Sequence, residues 1–182
     1  MLTRHTFRTF VLAAALVQAM TAAASAQSVN AEPGDRIDIE RAMRLEAEAS
    51  SLFDQRNDLD KAARKLRAAA RLRPSDDRRA LQLLRRAGVL AFHATDFRAS
   101  RQALLEQAER ALSLGEVSIA AHAFIDAAFA AKELNDVAAF DYIERARLLS
   151  TSTLIAANER AILAKRIGIR ATNAAEDATS DF

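Results

Sequence analysis

Residues 57–74 read NDLDKAARKLRAAARLRP. Asp58 is of a residue type that caps helix N-termini, and Pro74 disfavours helix at the residue before it. Between them, apolar residues recur near the three- and four-residue spacing of one helix face: Leu59, Ala62, Ala63, Leu66, Ala69, Ala70 and Leu72. The segment therefore predicts a helix over residues 58–73.

The turn that opens this helix recurs along the chain at steps of 38 and 40 residues. Each copy has a polar residue, an aspartate and an apolar residue: Asn57-Asp58-Leu59, Thr95-Asp96-Phe97 and Asn135-Asp136-Val137. We expect the aspartate to cap the second helix of a pair, and the apolar residue to pack under the first helix. The pattern therefore predicts three similar helical hairpins.

The composition favours helix throughout, since only 4 Gly and 2 Pro occur among 182 residues. Seven helices are predicted, over about residues 38–53, 58–73, 75–93, 96–114, 117–134, 136–149 and 153–168. The predicted N-caps are Asp38, Asp58, Ser75, Asp96, the pair Asn135-Asp136 and the polar run 150–153. Gly115 is predicted to close the fourth helix in a left-handed conformation.

The N-terminus has the three parts of a secretory signal peptide. Arg4 and Arg8 give a positive start, residues 10–20 form an apolar stretch too short to span a bilayer, and residues 24–26 (ASA) suit a cleavage site. We predict cleavage between Ala26 and Gln27 and a periplasmic or secreted protein. The alternative is an uncleaved N-terminal anchor or an ordinary buried helix.

The chain divides into four predicted segments. Residues 1–26 are the signal peptide, and residues 27–37 are a flexible leader with Pro33-Gly34 as a helix breaker. Residues 38–168 form the helical domain, and residues 169–182 are predicted to be a disordered tail.

The hairpins resemble tetratricopeptide repeats. That family sets small residues in the first helix, an aromatic residue one turn later, alanines and an aromatic residue in the second helix, and a closing proline. The matching residues are Ser50, Phe53, Ala62, Leu66, Ala69 and Pro74, then Ala87, Gly88, Asp96, Phe97, Ser100 and Leu104, then Ala127, Ala128 and Ala139. Departures are Ala91 at an aromatic position, Gln107 at an alanine position, and a step longer than the family's period of about 34.

The resemblance implies a fold class and a binding surface. The fold is all-α, with three antiparallel hairpins stacked as a short right-handed superhelix and a C-terminal capping helix; a closed helical bundle is the alternative. The first helix of each hairpin then lines a peptide-binding groove. The implied groove residues are Arg44, Ser51, Asp54, Gln82, Arg85, Val89, Phe92, His93, His122, Ile125, Phe129 and Lys132. Arg85 and Lys132 would hold carboxylates, and Phe92 and Phe129 would hold side chains unless they are core residues.

No catalytic, metal or cofactor site is predicted. The chain has no cysteine, and once His5 leaves with the signal peptide, only His93 and His122 remain. Neither has a second histidine three or four residues away, and no Gly-x-Ser-x-Gly elbow or Gly-rich phosphate loop occurs. We therefore interpret the chain as a non-enzyme that needs no cofactor.

Charge is balanced overall and uneven along the chain. Loss of Arg4 and Arg8 would reduce 26 basic residues to 24, equal to the 24 acidic residues. Residues 61–101, the basic tract, carry twelve Lys and Arg against three Asp. We expect the tract to pair with the acidic first helix and with Asp76 and Asp77, or alternatively to contact lipid headgroups or an acidic partner. Export disfavours nucleic acid as a partner.

Two functions follow from these patterns. The first is a non-catalytic exported adaptor that binds a protein or peptide partner of the cell envelope in its groove. The second is a helical bundle that binds a small anionic or amphipathic ligand, or contacts a membrane surface peripherally through the basic tract. The sequence leaves the partner and the oligomeric state open.

Overall fold

The computed structural model describes residues 33–54 and 58–180, with side-chain surroundings for residues 36–54 and 58–168. The predicted signal peptide, the start of the predicted leader and residues 55–57 lie outside the described residues. The contacts discussed below all belong to the unit Ile39–Phe182.

Seven α-helices make up the described part of the chain, in which no strand occurs. They are α1 (Pro33–Asp54), α2 (Leu59–Arg71), α3 (Arg79–His93), α4 (Phe97–Ser113), α5 (Val117–Lys132), α6 (Ala138–Ser150) and α7 (Ala157–Ser180). Successive helices from α2 to α7 pack against one another, and α7 also contacts α5. The predicted all-α class is confirmed. Among the described helices, none is both long and apolar enough to cross a membrane.

The three repeated aspartates all accept a backbone hydrogen bond at the start of a second helix. Asp58 accepts from the amide of Lys61 at 2.9 Å, and Asp96 accepts from the amide of Ala99 at 3.0 Å. Asp136 accepts from the amide of Ala138 at 2.9 Å. Each carboxylate therefore satisfies a donor that the helix itself cannot pair, as predicted from the turn pattern.

A left-handed residue precedes the acidic residue at three successive turns, spaced by 20 residues. These residues are Thr95 (φ 60°), Gly115 (φ 72°) and Asn135 (φ 52°). At each turn the next amide reaches back to a carbonyl of the preceding helix: Asp96 to Ala91 at 2.9 Å, Glu116 to Ala111 at 2.8 Å and Asp136 to Ala131 at 3.0 Å. This is the Schellman geometry, and it shows that helix and turn repeat together through α3, α4, α5 and α6.

Two predicted helix starts are wrong in the first half of the chain. Helix α1 begins at Pro33, five residues before the predicted cap Asp38, because proline is well suited to the first helical turn, where its missing N–H is not needed. Helix α3 begins at Arg79, and Ser75 does not cap it. Asp77 instead accepts from the Arg79 amide at 2.7 Å, and its other oxygen pairs with Arg73.

Two predicted caps are also wrong in the second half. Asn135 supplies the left-handed turn residue, and of the pair only Asp136 accepts a hydrogen bond from the first amide of α6, that of Ala138. The polar run 150–153 closes α6 instead of opening α7, since Ser150 and Thr151 donate to carbonyls of that helix at 2.7 Å. Helix α7 begins at Ala157 and its backbone continues to Ser180, beyond the predicted end near Gly168.

The core is built largely from alanine, which lets the helices approach closely. One cluster joins α1, α2, α3 and the start of α4, and a second joins α4, α5, α6 and α7. Helix α5 is buried on most of its surface, and its nine buried residues include Phe124 and Ile125. It is the central helix of the second cluster.

Polar contacts join helices that are separated by one intervening helix in the chain. Arg67 and Arg71 on α2 donate to Glu106 on α4, and His122 on α5 contacts Glu159 on α7. Across the turns, Arg78 pairs with Glu116 at 2.6 Å and Arg101 pairs with Asp136. Each contact joins residues roughly one hairpin apart, so the repetition extends from the turns to the packing.

Candidate functional site

A cleft of about 250 Å³ lies between α3, α4 and α5. Its lining residues come from all three helices: Arg85, Gly88, Val89, Phe92, His93, Ser100, Leu104, Asp126 and Phe129. Five of the twelve groove positions implied by the repeat resemblance therefore meet in one place, namely Arg85, Val89, Phe92, His93 and Phe129.

Close packing of α3 on α4 forms the inner end of the cleft. A Cβ atom added to Gly88 would lie 2.6 Å from Cγ of Leu104, so only glycine allows this approach without a shift. Gly88 belongs to the small-residue pair that the sequence placed in the first helix of the second hairpin. Because Gly88 has no side chain, α4 can pack closely against α3, and Ser100 and Leu104 of α4 then line the cleft.

The walls of the cleft are mainly apolar. The ring of Phe92 meets that of Phe97 edge to face, with centroids 5.1 Å apart, which holds Phe92 at the end of α3. Phe92 and Phe129 are half-buried, and Val89 is exposed. These three side chains present apolar surface that a second molecule can cover.

Ser100 is a buried polar residue beside this apolar surface. Its side chain is 0% exposed, and its Oγ has no hydrogen-bond partner among the described residues. A buried hydroxyl without a partner costs about 1–3 kcal/mol, so native structures seldom keep one without a reason. A ligand that places a polar atom at the inner end of the cleft would remove that cost.

The rim of the cleft is cationic. Arg85 is exposed and has no ion pair among the described residues, and His93 is exposed at the end of α3. The one carboxylate in the lining, Asp126, is neutralised by Arg166 at 2.5 Å. A carboxylate from another molecule is therefore better matched to this rim than a cation is.

Two implied groove residues are placed elsewhere. Ile125 is fully buried in the core cluster around α5, so it cannot line a groove. His122 donates from Nε2 to Glu159 at 2.6 Å and accepts at Nδ1 from Arg166, so contacts with α7 occupy it. Both residues lie where α7 packs against α5, since Ile125 shares its core cluster with Leu163 and Ile167 of α7.

The remaining implied groove residues are exposed outside the cleft lining. Arg44, Ser51 and Asp54 lie on α1, and Lys132 ends α5. Gln82 accepts a hydrogen bond from Arg79 at 2.8 Å. The structure therefore brings together four of the five implied groove residues of the second hairpin with Phe129 of the third, and leaves those of the first hairpin apart.

Ser100, Leu104 and Asp126 were not assigned to the groove from the sequence. Ser100 and Leu104 had been placed at repeat positions of a second helix, which the family pattern keeps away from the groove. Asp126 is one turn before Phe129 on α5, and that helical spacing was the available signal for it.

The basic tract is largely neutralised by neighbouring carboxylates, in agreement with its structural interpretation. Lys65 pairs with Glu48 of α1, and Arg73 pairs with Glu46 at 2.5 Å and with Asp77 at 2.7 Å. Further pairs join Arg79 to Glu46, Arg64 to Asp60, Arg78 to Glu116, and both Arg67 and Arg71 to Glu106. The depression at α1 and α2 lined by Arg41, Arg64, Arg67 and Arg71 is therefore less cationic than its residues suggest.

Among the described residues, no group of three or more His, Asp or Glu side chains is arranged to hold an ion. His93 and His122 lie on different helices, and His122 is held between Glu159 and Arg166.

Comparisons of the chain with protein-family models, with curated proteins and with solved structures found no match. The cleft and its lining are therefore the basis for a functional assignment.

Proposed function

We propose that the chain is an exported, non-catalytic helical-repeat module of the tetratricopeptide type, which binds an extended segment of a protein partner in the cleft between α3, α4 and α5. The repeated turns and the contacts between helices next but one support a stack of hairpins over a closed bundle. The signal-like residues 1–26 support a partner in the cell envelope.

The observation that carries the proposal is the composition of the cleft. Apolar walls at Val89, Phe92 and Phe129 lie beside the buried hydroxyl of Ser100, with Arg85 at the rim; neither Ser100 Oγ nor the Arg85 guanidinium has a partner among the described residues. A volume of about 250 Å³ suits one or two side chains and is small for a drug-sized ligand, whose sites span about 300–1,000 Å³. The cleft therefore fits an anchor side chain from a longer peptide, with an acidic residue beside it for Arg85.

The basic tract gives less support to a lipid surface or a small anionic ligand. Most of its cations already bond to carboxylates of the same chain, so binding an outside anion would first have to break those pairs.

The proposal is tested by selecting a random peptide library on the chain and measuring the enriched peptides by fluorescence anisotropy. We expect enriched sequences to share an apolar or aromatic residue next to Asp or Glu. Arg85→Ala and Phe92→Ala should each weaken binding by about tenfold, the loss of roughly 1.4 kcal/mol.

Matched controls come from the same chain. Arg86 is exposed on α3 next to Arg85 but does not line the cleft, and Phe53 is a half-exposed phenylalanine of α1. Arg86→Ala and Phe53→Ala should leave binding unchanged. An absence of enriched peptides, or equal losses in the cleft and control variants, would show that the cleft is not the binding site.

A further inference from the structure

The inner end of the cleft holds a hydroxyl that has no hydrogen-bond partner among the described residues. Ser100 on α4 is 0% exposed, so its Oγ also lies out of reach of bulk water. A hydroxyl in this state has no bond to give up when a ligand arrives. A new hydrogen bond to Ser100 is therefore worth more than one to a hydrated group, which must first release its water.

The helix geometry turns Ser100 towards α3. Ser100 is one turn before Leu104 on α4, so the two side chains share a helix face. Leu104 occupies the space above Gly88 of α3, where its Cγ lies 2.6 Å from the position of an added Cβ. Because a short turn joins α3 to α4 and makes them antiparallel, Ser100 lies level with the next turn of α3, which carries Phe92. Both Ser100 and Phe92 line the cleft.

The cleft is apolar between this hydroxyl and the rim. Val89, Phe92 and Phe129 supply the walls, and Arg85 stands at the rim with no ion pair among the described residues. The carboxylate in the lining, that of Asp126, is already paired with an arginine of α7. From the rim inwards, a ligand therefore meets a cation, then apolar walls, and then a hydroxyl.

We propose that the anchor side chain bound by the cleft is a tyrosine, whose phenol OH bonds to Oγ of Ser100. This inference rests on the proposed function, since it specifies the residue that the cleft receives. Tyrosine joins a flat apolar ring to a single hydroxyl at its tip. The ring packs between the apolar walls, and an acidic residue beside the tyrosine meets Arg85. Phenylalanine fills the same walls and leaves Oγ unpaired.

The size of the preference follows from the state of Ser100 in the free chain. The phenol oxygen has to come within about 2.7–2.8 Å of Oγ. Ser100 lines the cleft but exposes no area, so a small movement of a neighbouring side chain has to accompany binding, as is common at interfaces. Because Oγ is unpaired before binding too, a phenylalanine peptide loses nothing further. We therefore expect tyrosine to be preferred by about tenfold.

Peptides that differ by one oxygen test the proposal. Selection of a random peptide library on the whole chain should enrich tyrosine over phenylalanine at the anchor position. The enriched peptide and its tyrosine-to-phenylalanine counterpart are then measured by fluorescence anisotropy on the wild type and on Ser100→Ala. The wild type should bind the tyrosine peptide about tenfold more tightly than the phenylalanine peptide. Ser100→Ala should bind both peptides with the same affinity.

Thermal unfolding of the free chain gives an independent measurement. Ser100→Ala removes a buried hydroxyl that has no partner among the described residues, so the Tm should rise by about 2–4 °C. Ser113→Ala is the control on the same helix, because Ser113 is exposed, lies outside the cleft lining and donates to the carbonyl of Arg110 at 2.7 Å. The control should not raise the Tm, and it should bind both peptides as the wild type does.

Three results would overturn the tyrosine anchor: equal affinities of the two peptides for the wild type, a tyrosine preference that survives in Ser100→Ala, or a Tm that falls in that variant. If binding in these cases is still weakened by Arg85→Ala and Phe92→Ala, the proposed function stands and only the identity of the anchor is wrong. If the library yields no enriched peptide, both proposals fail.

Discussion

Arg67 on α2 binds the carboxylate of Glu106 on α4 through two nitrogens, with Nε 3.1 Å from Oε2 and Nη2 2.5 Å from Oε1. Arg71 donates to the same carboxylate. Burial works to raise the pKa of Glu106, but the hydrogen bonds from Arg67 and Arg71 outweigh it and hold the pKa below its ordinary value. This carboxylate is therefore a charged link between the second helices of two hairpins.

The first prediction concerns Glu106→Gln. Because the folded-state pKa is lowered, Glu106 stabilises the fold above its unfolded pKa of about 4.3, and this contribution is lost as pH falls through the folded pKa. At neutral pH we expect the unfolding free energy of the variant to be about 1–2 kcal/mol lower than that of the wild type. On acidification, the unfolding free energy of the variant should fall by less than that of the wild type. Urea unfolding over a pH series measures both effects.

Glu109→Gln is the control for this prediction, because Glu109 is an exposed residue of the same helix with no ion pair in the described part of the chain. It should behave like the wild type at every pH. Equal responses of the two variants would mean that the link between α2 and α4 does not stabilise the fold.

The second prediction compares two glycines. Gly88→Ala should destabilise the fold by about 1–3 kcal/mol, because its Cβ would lie 2.6 Å from Cγ of Leu104 and force α3 and α4 apart. Gly168→Ala should stabilise it by about 0.5–1 kcal/mol, because among the described residues no atom outside the backbone of its own helix lies within 4 Å of that Cβ, and alanine is the better helix former. Thermal unfolding distinguishes the two signs, and a loss of stability at both sites would contradict the packing at Gly88.

Local features of the sequence were enough to predict the helices and the repeated caps. Asp58, Asp96 and Asp136 bond to amides two or three residues away, so nothing distant is needed to place them. The α3 side of the cleft was implied by the resemblance to tetratricopeptide repeats, whose groove positions carry over to Arg85, Val89 and Phe92 on one face of a helix.

Of the features that depend on distant partners, the pairing of the basic tract with α1 was predicted and the others were not. Glu106 accepts hydrogen bonds from Arg67 and Arg71, which lie 39 and 35 residues earlier in the chain. His122 bonds to Glu159 of α7, which lies 37 residues later. Ser75 failed as a cap because Asp77, whose other oxygen is bonded to Arg73, competes for the same helix end. For Glu106 and His122 the deciding group lies on a distant helix, whereas for Ser75 a neighbouring residue, Asp77, is the acceptor at the helix start.

The third prediction concerns the left-handed turn residues. Thr95 is β-branched and has a φ of 60°, a conformation that costs a non-glycine residue about 1–2 kcal/mol. Thr95→Gly removes this cost but also gives the unfolded chain more conformational freedom, which reduces the gain. We therefore expect the unfolding free energy to rise by roughly 0.5–1 kcal/mol. Asn135→Gly should gain less, because asparagine tolerates this region better.

Gly115→Thr is the reciprocal test, since Gly115 has a φ of 72° and, its two chain neighbours aside, no described residue places an atom within 4 Å of an added Cβ. Its loss of stability would come from the backbone alone, by about 1–2 kcal/mol. If Thr95→Gly destabilised the fold and Gly115→Thr were neutral, the three turns could not share one geometry. Chemical denaturation of the four proteins, wild type included, decides this.

The fourth prediction concerns how α7 is held on α5. Arg166 donates to Nδ1 of His122 and to Asp126, the latter at 2.5 Å, while Glu159 accepts from His122 at 2.6 Å and from Ser118 at 3.1 Å. Because arginine only donates, Nδ1 of His122 accepts, and Nε2 donates to Glu159. The hydrogen bond from His122, followed by that from Ser118, holds the pKa of Glu159 below its ordinary value.

Arg166→Ala removes the bonds to both His122 and Asp126, so we expect α7 to open more often. Hydrogen exchange of the α7 amides should accelerate by about five- to thirtyfold, as the loss of 1–2 kcal/mol implies, while exchange in α2 and α3 stays unchanged. Lys165→Ala, at an exposed neighbour with no ion pair among the described residues, should leave exchange as in the wild type.

Wild-type α7 should also exchange faster as pH falls through the lowered pKa of Glu159, after correction for intrinsic rates, because the protonated carboxyl no longer carries the charge that its donors stabilise. Faster exchange in every helix of Arg166→Ala would instead mean that α7 unfolds only with the whole domain.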